Sequence, residues 1–426
     1  MASLRIGLLT QWYDPEPGPA ALPGVLARGL AERGHEVQVL TGFPNYPLGG
    51  IAEGYAVRRR LVEVAGGVTV TRVALYPSHD GSTMKRMLNY GSFGASAIVS
   101  GLGSLRGLDA LWVNYSPVTV GGAQLLARAA LGVPSVVHVL DLWPDTLFAG
   151  GFANEGRFGG LVHRGLNAWC GALYRAASSV AYISPGVGDV LQSRGVPAEK
   201  LNYVPMWADE EVFRPAATDL RGEYGLLEDA VVLLYAGAMG DAQGLDTLIE
   251  ACAKIDDPRF VCLMAGSGIS ESRLRDRAAN VGNVRFIGRV SQPQMTALMA
   301  TADLNYVGLR AHALSTITMP SKTQATLAAG KPLLVAAHGD VADVVRQSGT
   351  GFTADPADTA SIASAIHAAL ALGRPGLARM GRRAADYYAT AFSARRGVDQ
   401  VEDLLHRASD GRHSRASRQP AVRSSR

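Results

Sequence analysis

A lysine two residues past a proline, at the head of a helical stretch, is the most chemically suggestive feature of this 426-residue sequence. Pro320 disfavours helix in the residue before it, and Ser321-Lys322-Thr323-Gln324-Ala325-Thr326-Leu327-Ala328-Ala329 then reads as helix up to Gly330. Leu333, Leu334 and Val335 follow as a buried strand. The unpaired N–H groups of a helix's first turn, with an ammonium beside them, suit a diphosphate. An ordinary helix N-terminus with a surface lysine carries the same signature.

Three further segments could do chemistry. In Val137-His138-Val139-Leu140-Asp141-Leu142-Trp143-Pro144-Asp145 an apolar strand ends in polar groups, and a period of two sets His138 apart from Asp141. Polar groups at the C-terminal ends of parallel strands are where α/β folds do catalysis. The alternatives are a satisfied core histidine and a capping aspartate. Ala265-Gly266-Ser267-Gly268 and Gly288-Arg289 each follow an apolar strand. Such small residues admit a phosphate or a base edge, and a guanidinium stacks on a base. The loop after the first strand, Thr10 to Leu22, holds Gly18, Ala20 and Ala21, but not the spacing of a dinucleotide fingerprint. That loop could also be a Pro-rich surface loop, and the two strand-end segments plain βα turns.

The elements that must position these residues alternate almost from end to end. Leu4–Leu9, Glu36–Leu40, Val68–Val73, Ala110–Val113 and Ser135–Val139 read as short buried strands. A second series comprises Val231–Ala236, Phe260–Ala265, Val284–Ile287, Leu304–Val307 and Leu333–Ala336. Repeated βα units give parallel sheets with helices on both faces, so two Rossmann-like domains facing across a cleft are expected. The expected boundaries are 1–205 and 206–385, with a final helix over about 386–408 packing back on the first domain and a disordered basic tail over 409–426.

Composition narrows the classes. The net charge of +4 is small, and much of the excess lies in that tail, so no nucleic-acid role is expected. Cys170, Cys252 and Cys262 lack metal-ligand spacing and read as buried thiols. The first strand begins at once, leaving no room for a signal peptide, and no charge-free apolar run reaches spanning length. A cytoplasmic protein is expected, with peripheral contact at the inner face of the membrane left open. That contact is suggested by Thr83–Phe93, which sets Lys85 and Arg86 among Met84, Met87, Leu88 and Phe93. A partly buried basic helix would look the same. There is no HExxH, GxSxG, Walker loop or paired CxxC.

Taken in order, Leu30–Pro47 (Leu-Ala-Glu-Arg-Gly-His to Gly-Phe-Pro-Asn-Tyr-Pro), Asp141-Leu-Trp-Pro-Asp, Ser184-Pro-Gly-Val, Gln243-Gly-Leu-Asp-Thr-Leu and Pro320-Ser-Lys with Ala-Ala-Gly-Lys-Pro resemble a family 4 glycosyltransferase of the GT-B fold. The likeness runs over roughly Leu4 to Leu405 and is strongest to the branch that builds bacterial surface polysaccharides, including amino-deoxyhexose transferases. It implies retaining transfer from a nucleotide-diphosphate sugar with no metal or other cofactor, to a glycan, lipid-linked or natural-product acceptor. By position, Gly18 would approach the diphosphate from the first domain, and Ser321, Lys322 and Thr323 from the second. Gly237, Gly266 and Ser267 would join the donor site, with Gly288 and Arg289 on the base. His138 or Asp141 would lie over the sugar or acceptor, and Asn45 and Tyr46 would shape the acceptor pocket.

The departures are informative. The family's Glu-x7-Glu pair falls on Ile317 and Ala325, which leaves the ribose to Gln324 or another polar group, or leaves that contact out. Its diphosphate-binding Arg and Lys fall on Ala238 and Gln243, which leaves Lys322 a large share of the charge. These losses keep a non-catalytic GT-B protein binding a sugar nucleotide or glycan in view. A GT-B-type epimerase shares the two-domain layout.

Overall fold

The computed structural model describes residues 2–78, 83–149, 157–216 and 218–418. The chain divides into two compact units, Met1–Pro205 with Gly397–Arg426, and Met206–Arg396. In the first, eight strands form one sheet: β1 (Arg5–Leu9), β2 (Glu36–Gly42), β3 (Arg60–Ala65), β4 (Val68–Val73), β5 (Ala110–Asn114), β6 (Ser135–Val139), β7 (Ser179–Tyr182) and β8 (Leu201–Tyr203). Their order is β3-β4-β2-β1-β5-β6-β7-β8, parallel throughout except where β3 runs against β4. Its helices are α1 (Leu22–Glu32), α2 (Thr83–Ser96), α3 (Gly121–Leu131), α4 (Asp145–Ala149), α5 (Arg157–Ala176) and α6 (Pro185–Ser193).

The central strands are apolar runs because helices cover both faces, and every residue of β5 and β6 is buried. β3 escapes that pattern. It is an edge strand with Val62 and Val64 exposed, so it carries no buried-strand signature. β7 and β8 have only four and three residues, too short for periodicity to register.

The second unit holds β9 (Val231–Ala236), β10 (Phe260–Ala265), β11 (Val284–Gly288), β12 (Leu304–Gly308), β13 (Leu333–Ala336) and β14 (Gly351–Ala354). All run parallel in the order β11-β10-β9-β12-β13-β14. Its helices are α7 (Leu245–Cys252), α8 (Glu271–Ala278), α9 (Gln292–Thr301), α10 (Ser321–Ala328), α11 (Asp340–Ser348) and α12 (Thr359–Ala391). α12 is two helices joined at Gly373, whose φ of 60° breaks the ladder ahead of Pro375.

Each sheet reverses its direction of growth once, between β1 and β5 in the first unit and between β9 and β12 in the second. At such a switch point successive loops leave in opposite directions and open a crevice beyond the strand C-termini. The candidate residues gather at these two edges.

The chain's end differs from expectation. Residues 386–391 finish α12, and a new helix, α13 (Ala394–Arg418), begins after the break at Phe392-Ser393. From Gly397 onward α13 belongs to the first unit, where Arg33 pairs with Glu402 at 2.6 Å and Val398 packs on Gly29. Residues 409–418 of the expected disordered tail are helical. Leu404, Leu405, Ala408 and Ser409 continue one buried face, which carries the helix past the last strongly apolar residue. Residues 419–426 lie outside the described residues.

Candidate active site

In the second unit, four loops converge at the C-terminal edge of the sheet. Gly237, just after β9, donates its N–H to Ala265 O at 3.0 Å. Gly266, just after β10, donates to Gly288 O at the end of β11 at 2.7 Å. Ser267 Oγ accepts from Arg289 Nε at 2.5 Å. Glycine is required here: Gly237 and Gly266 sit at φ of 143° and 123°, and a methyl on Gly266 would overlap the Gly237 carbonyl. These loops therefore present bare backbone to whatever lies beyond the sheet edge.

Lys322 enters the same edge from the first turn of α10. Its Nζ donates to Tyr235 Oη at 2.8 Å and lies 4.0 Å from that ring's centre, while a methyl on Gly237 would overlap its Cε. Tyr235 in turn donates to the Ala238 carbonyl. Burial without a carboxylate partner pushes the Lys322 ammonium down to about 8. It is a desolvated cation held by a hydroxyl and an aromatic face, with no carboxylate paired to it among the described residues. Of the neighbouring N–H groups, that of Thr323 is already donated to Pro320 O at 2.9 Å. Thr323 Oγ1 and the oxygen of Gln324, a residue 1% exposed, are buried without a hydrogen-bond partner. Buried polar atoms left unpaired mark places where a further group belongs.

The positions where the resemblance expects two cations are spent on structure. Gln243 Oε1 accepts from Gly240 N at 3.0 Å and so closes the short turn before α7. Arg310, just past β12, reaches the same loop through Asp241 O at 2.6 Å and Asp246 Oδ2 at 2.7 Å. Sequence reasoning missed it, although a basic residue directly after a strand end is a usable signal.

In the first unit the loops after β1, β2, β5 and β6 meet around the other switch point. Gly18 has a φ of 68° and opens a short 3-10 turn into α1. Glu16, which the sequence did not single out, is the organiser. Its buried carboxylate accepts from the backbone of Tyr13 at 3.0 Å and of both Asn45 and Tyr46 at 2.8 Å. Burial raises its pKa against the pull of those three N–H groups. Asn45 also accepts from Asn89 Nδ2 at 3.2 Å, and Asn89 accepts from Gln11 Nε2. The Trp12 ring meets Tyr46 and Tyr90 edge-on at 6.5 and 6.1 Å. The indole N–H of Trp12 is buried without a partner.

His138 and Asp141 part company. His138 is 1% exposed, bonds Val204 O through Nε2 at 3.0 Å and packs on Trp112 with ring centres 5.0 Å apart. Burial pushes it down to about 4, so it is neutral at physiological pH. These are the contacts of a satisfied core histidine. Asp141 accepts from Ser116 Oγ at 2.5 Å in the loop beyond the strand ends. Burial raises its carboxyl above the ordinary range, with the Ser116 bond opposing.

Arg72 fixes this loop cluster from beneath. Its buried guanidinium donates to Glu63 at 2.7 Å, Gly42 O at 3.2 Å and Asp14 O at 2.5 Å, and stacks 4.9 Å from the Tyr55 ring centre. Truncation strands Glu63 and two carbonyls, so Arg72→Ala should destabilise the protein by about 3–5 kcal/mol in urea unfolding. A change under about 1 kcal/mol would mean that the loops are held by other contacts.

One group among the described residues has metal-ligand composition: His35, Glu402 and His406, whose ligand atoms lie within 4.8 Å of one another. His35 Nδ1 accepts the Leu4 N–H at 3.1 Å, which puts the neutral ring's proton on Nε2, 3.0 Å from Glu402 Oε1. That ring donates a hydrogen bond instead of offering a metal lone pair, and it ties α13 to the first sheet. No helix among the described residues is long and apolar enough to cross a membrane.

With this geometry in view, residues 18–207 match the glycosyl transferase 4-like domain and residues 217–387 match glycosyl transferases group 1. An Escherichia coli K12 glycosyl transferase named for colanic acid biosynthesis, WcaI, is 30% identical over 335 residues, covering 76% of this chain and 81% of its own. The D-inositol 3-phosphate glycosyltransferase of Geodermatophilus obscurus is 27% identical over 423 residues, covering 93% and 88%. Among solved structures, Anabaena HepE in complex with UDP superposes with a TM-score of 0.69 at 16% identity, over 95% of this chain and 100% of that one. Sucrose-phosphate synthase from Thermosynechococcus elongatus gives 0.68 at 19%, over 96% and 100%.

Proposed function

The chain belongs to the family 4 glycosyltransferases of the GT-B fold, and from that membership we propose that it transfers a sugar, with retention of configuration, from a nucleoside-diphosphate sugar to a glycan, lipid-linked or natural-product acceptor. The observation that carries the donor half is the desolvated Lys322 ammonium beside Gly237 and Gly266 at the β9/β12 switch point. As the bond from the sugar's anomeric carbon to the phosphate oxygen breaks, both electrons leave with the diphosphate. A cation and backbone N–H groups already in position stabilise that charge without reorganisation. The acceptor hydroxyl attacks the anomeric carbon from the face being vacated, and its proton passes to the departing phosphate oxygen. Lys322 and the first turn of α10 supply this stabilisation with no metal ion in the scheme.

Gln324 takes the ribose hydroxyls with its unpaired oxygen, and Arg289, held by Ser267, stacks on the base. In the first unit Asp141 and Ser116 orient the acceptor hydroxyls, beside the aromatic edge of Trp12, Tyr46 and Tyr90. HepE is solved in complex with UDP, which supports a nucleotide ligand for this chain. Incubation with UDP-, GDP- and dTDP-sugars and an acceptor panel tests the reading. An α-linked donor should give an α-linked product by NMR. A β-linked product would overturn retention, and a free epimer formed without acceptor would make the protein an epimerase.

We also propose peripheral membrane contact through α2, where Met84 and Leu88 are 75% and 52% exposed beside Lys85. The protein should float with acidic liposomes, and Lys85→Glu/Arg86→Glu should lower the bound fraction severalfold. Failure of the wild type to float would end the idea.

A further inference from the structure

Three aromatic residues of the first unit share a pattern. Trp12, Tyr46 and Tyr90 are each partly exposed, and each follows directly on an amide side chain that is buried. Those amides, Gln11, Asn45 and Asn89, are 1%, 2% and 1% exposed. The pairs come from three separate places, the loop after β1, the loop after β2, and α2. The rings meet around Trp12, its plane inclined by 64° to Tyr46 and by 88° to Tyr90. Rings set so steeply do not close face to face on one another, which leaves ring faces for another molecule.

The buried amides form one network whose orientation is set by the backbone. Asn89 Nδ2 donates to Tyr76 O at 2.7 Å and to Asn45 Oδ1 at 3.2 Å, and Asn45 Nδ2 donates to Phe43 O at 3.0 Å. Carbonyls only accept, so these bonds fix which end of each amide points where, and Asn89 Oδ1 is left to take Gln11 Nε2. Glu16 joins the network through the N–H groups of Asn45 and Tyr46, and Gln11 O takes the Thr41 hydroxyl at 3.1 Å. In each pair the polar residue is spent on holding the chain, and the aromatic one is free to meet a ligand. Buried networks of this kind rigidify what they carry.

The surface so held has electron-rich faces with hydroxyls at the rim. Burial keeps the Tyr46 and Tyr90 hydroxyls protonated well past neutral pH, and the Asp141 carboxylate acts on Tyr90 in the same direction, which places that carboxylate nearby. A sugar ring matches this pattern. Its axial C–H bonds suit an aromatic face, and its equatorial hydroxyls suit the rim. A hydrocarbon chain matches the faces but not the hydroxyls, and a phosphate does not match the faces. We propose that Trp12, Tyr46 and Tyr90 bind a pyranose ring of the acceptor, and that Asn89 and Glu16 are the positioning residues that hold them. The proposal rests on the reading of the first unit as the acceptor side.

Saturation-transfer NMR with the methyl α-pyranosides of glucose, galactose and mannose, and with N-acetylglucosamine, reads this directly. At least one should bind saturably, with transfer strongest to its ring C–H protons, and Trp12→Ala should weaken it by about tenfold. Asn89→Ala and the equal-volume Glu16→Gln should each weaken it about fivefold with UDP, GDP and dTDP binding unchanged. Val180→Ala lowers the stability of the same sheet from β7, where Val180 is fully buried, and should leave sugar binding within about twofold, which separates positioning from general stability. No saturable pyranoside binding by the wild type, or wild-type binding by Trp12→Ala, overturns the proposal. Wild-type binding by both Asn89→Ala and Glu16→Gln removes the positioning role. Sugar transfer by the wild type, assayed separately, reports on the transferase reading: transfer with pyranoside binding indifferent to Trp12 removes only this proposal, and Trp12-dependent binding without transfer removes only that reading.

Discussion

Lys322→Ala is expected to lower kcat/KM for sugar transfer by about 10²–10³-fold while the protein stays folded, since one fixed donor to a developing anion is worth roughly 3–4 kcal/mol in a water-poor site. The size follows from isolation. The positions where the resemblance expects Arg and Lys hold Ala238 and Gln243, and Arg310 nearby is already paired with Asp246. The same residue gives a pH signature. Only the ammonium form pairs with a diphosphate, and burial sets its titration near 8. One-proton linkage then makes nucleotide affinity about tenfold weaker at pH 9 than at pH 7, an effect absent from Lys322→Ala. The stability linkage runs the other way. The folded pKa lies below the ordinary lysine value, so the unfolded chain binds more protons between about 8 and 10.5, and Lys322 makes the fold more stable as pH rises through that window. Binding and stability that moved together with pH would contradict the assignment.

Gly266→Ala is the second large effect, and it acts through the backbone. Its φ of 123° is a conformation that side chains rarely adopt, and the added methyl would overlap the Gly237 carbonyl. Strain of this kind costs about 1–3 kcal/mol where the surroundings hold the residue in place. Relief requires the β9 and β10 loops to separate, which moves Gly237 away from Lys322. The expected outcome is loss of nucleotide binding by more than about tenfold together with a lowered Tm, each shared by Gly266→Val and neither by Gly282→Ala, where an added methyl meets nothing. Wild-type nucleotide affinity in Gly266→Ala would mean that this loop does not shape the donor edge.

Which features were legible in the sequence follows from how local their causes are. Strands buried on both faces announce themselves as apolar runs, so the central strands from β1 to β13 stood out. β3, exposed at an edge, and β7, β8 and β14, each of three or four residues, did not. The loop edge proposed for the donor was readable as separate turns at Gly266, Gly288 and Pro320, but not the partner of Lys322. Tyr235 looks like any β9 residue until its hydroxyl is seen 2.8 Å from the ammonium. Glu16 was hidden for a similar reason, since its role lies in backbone N–H groups about thirty residues away. His138 shows the opposite limit. A period of two separates two faces of β6, but in a strand buried on both sides it does not say which residue meets the ligand.

Calorimetric titration of UDP, GDP and dTDP into the wild type and Lys322→Ala, at pH 7 and pH 9, tests the central claim that Lys322 and its glycine-lined surroundings form the donor diphosphate site. One nucleotide should bind the wild type, about tenfold more weakly at pH 9, and the variant should bind it far more weakly with no pH dependence. Equal affinity in the variant, or no nucleotide bound by the wild type, would contradict it.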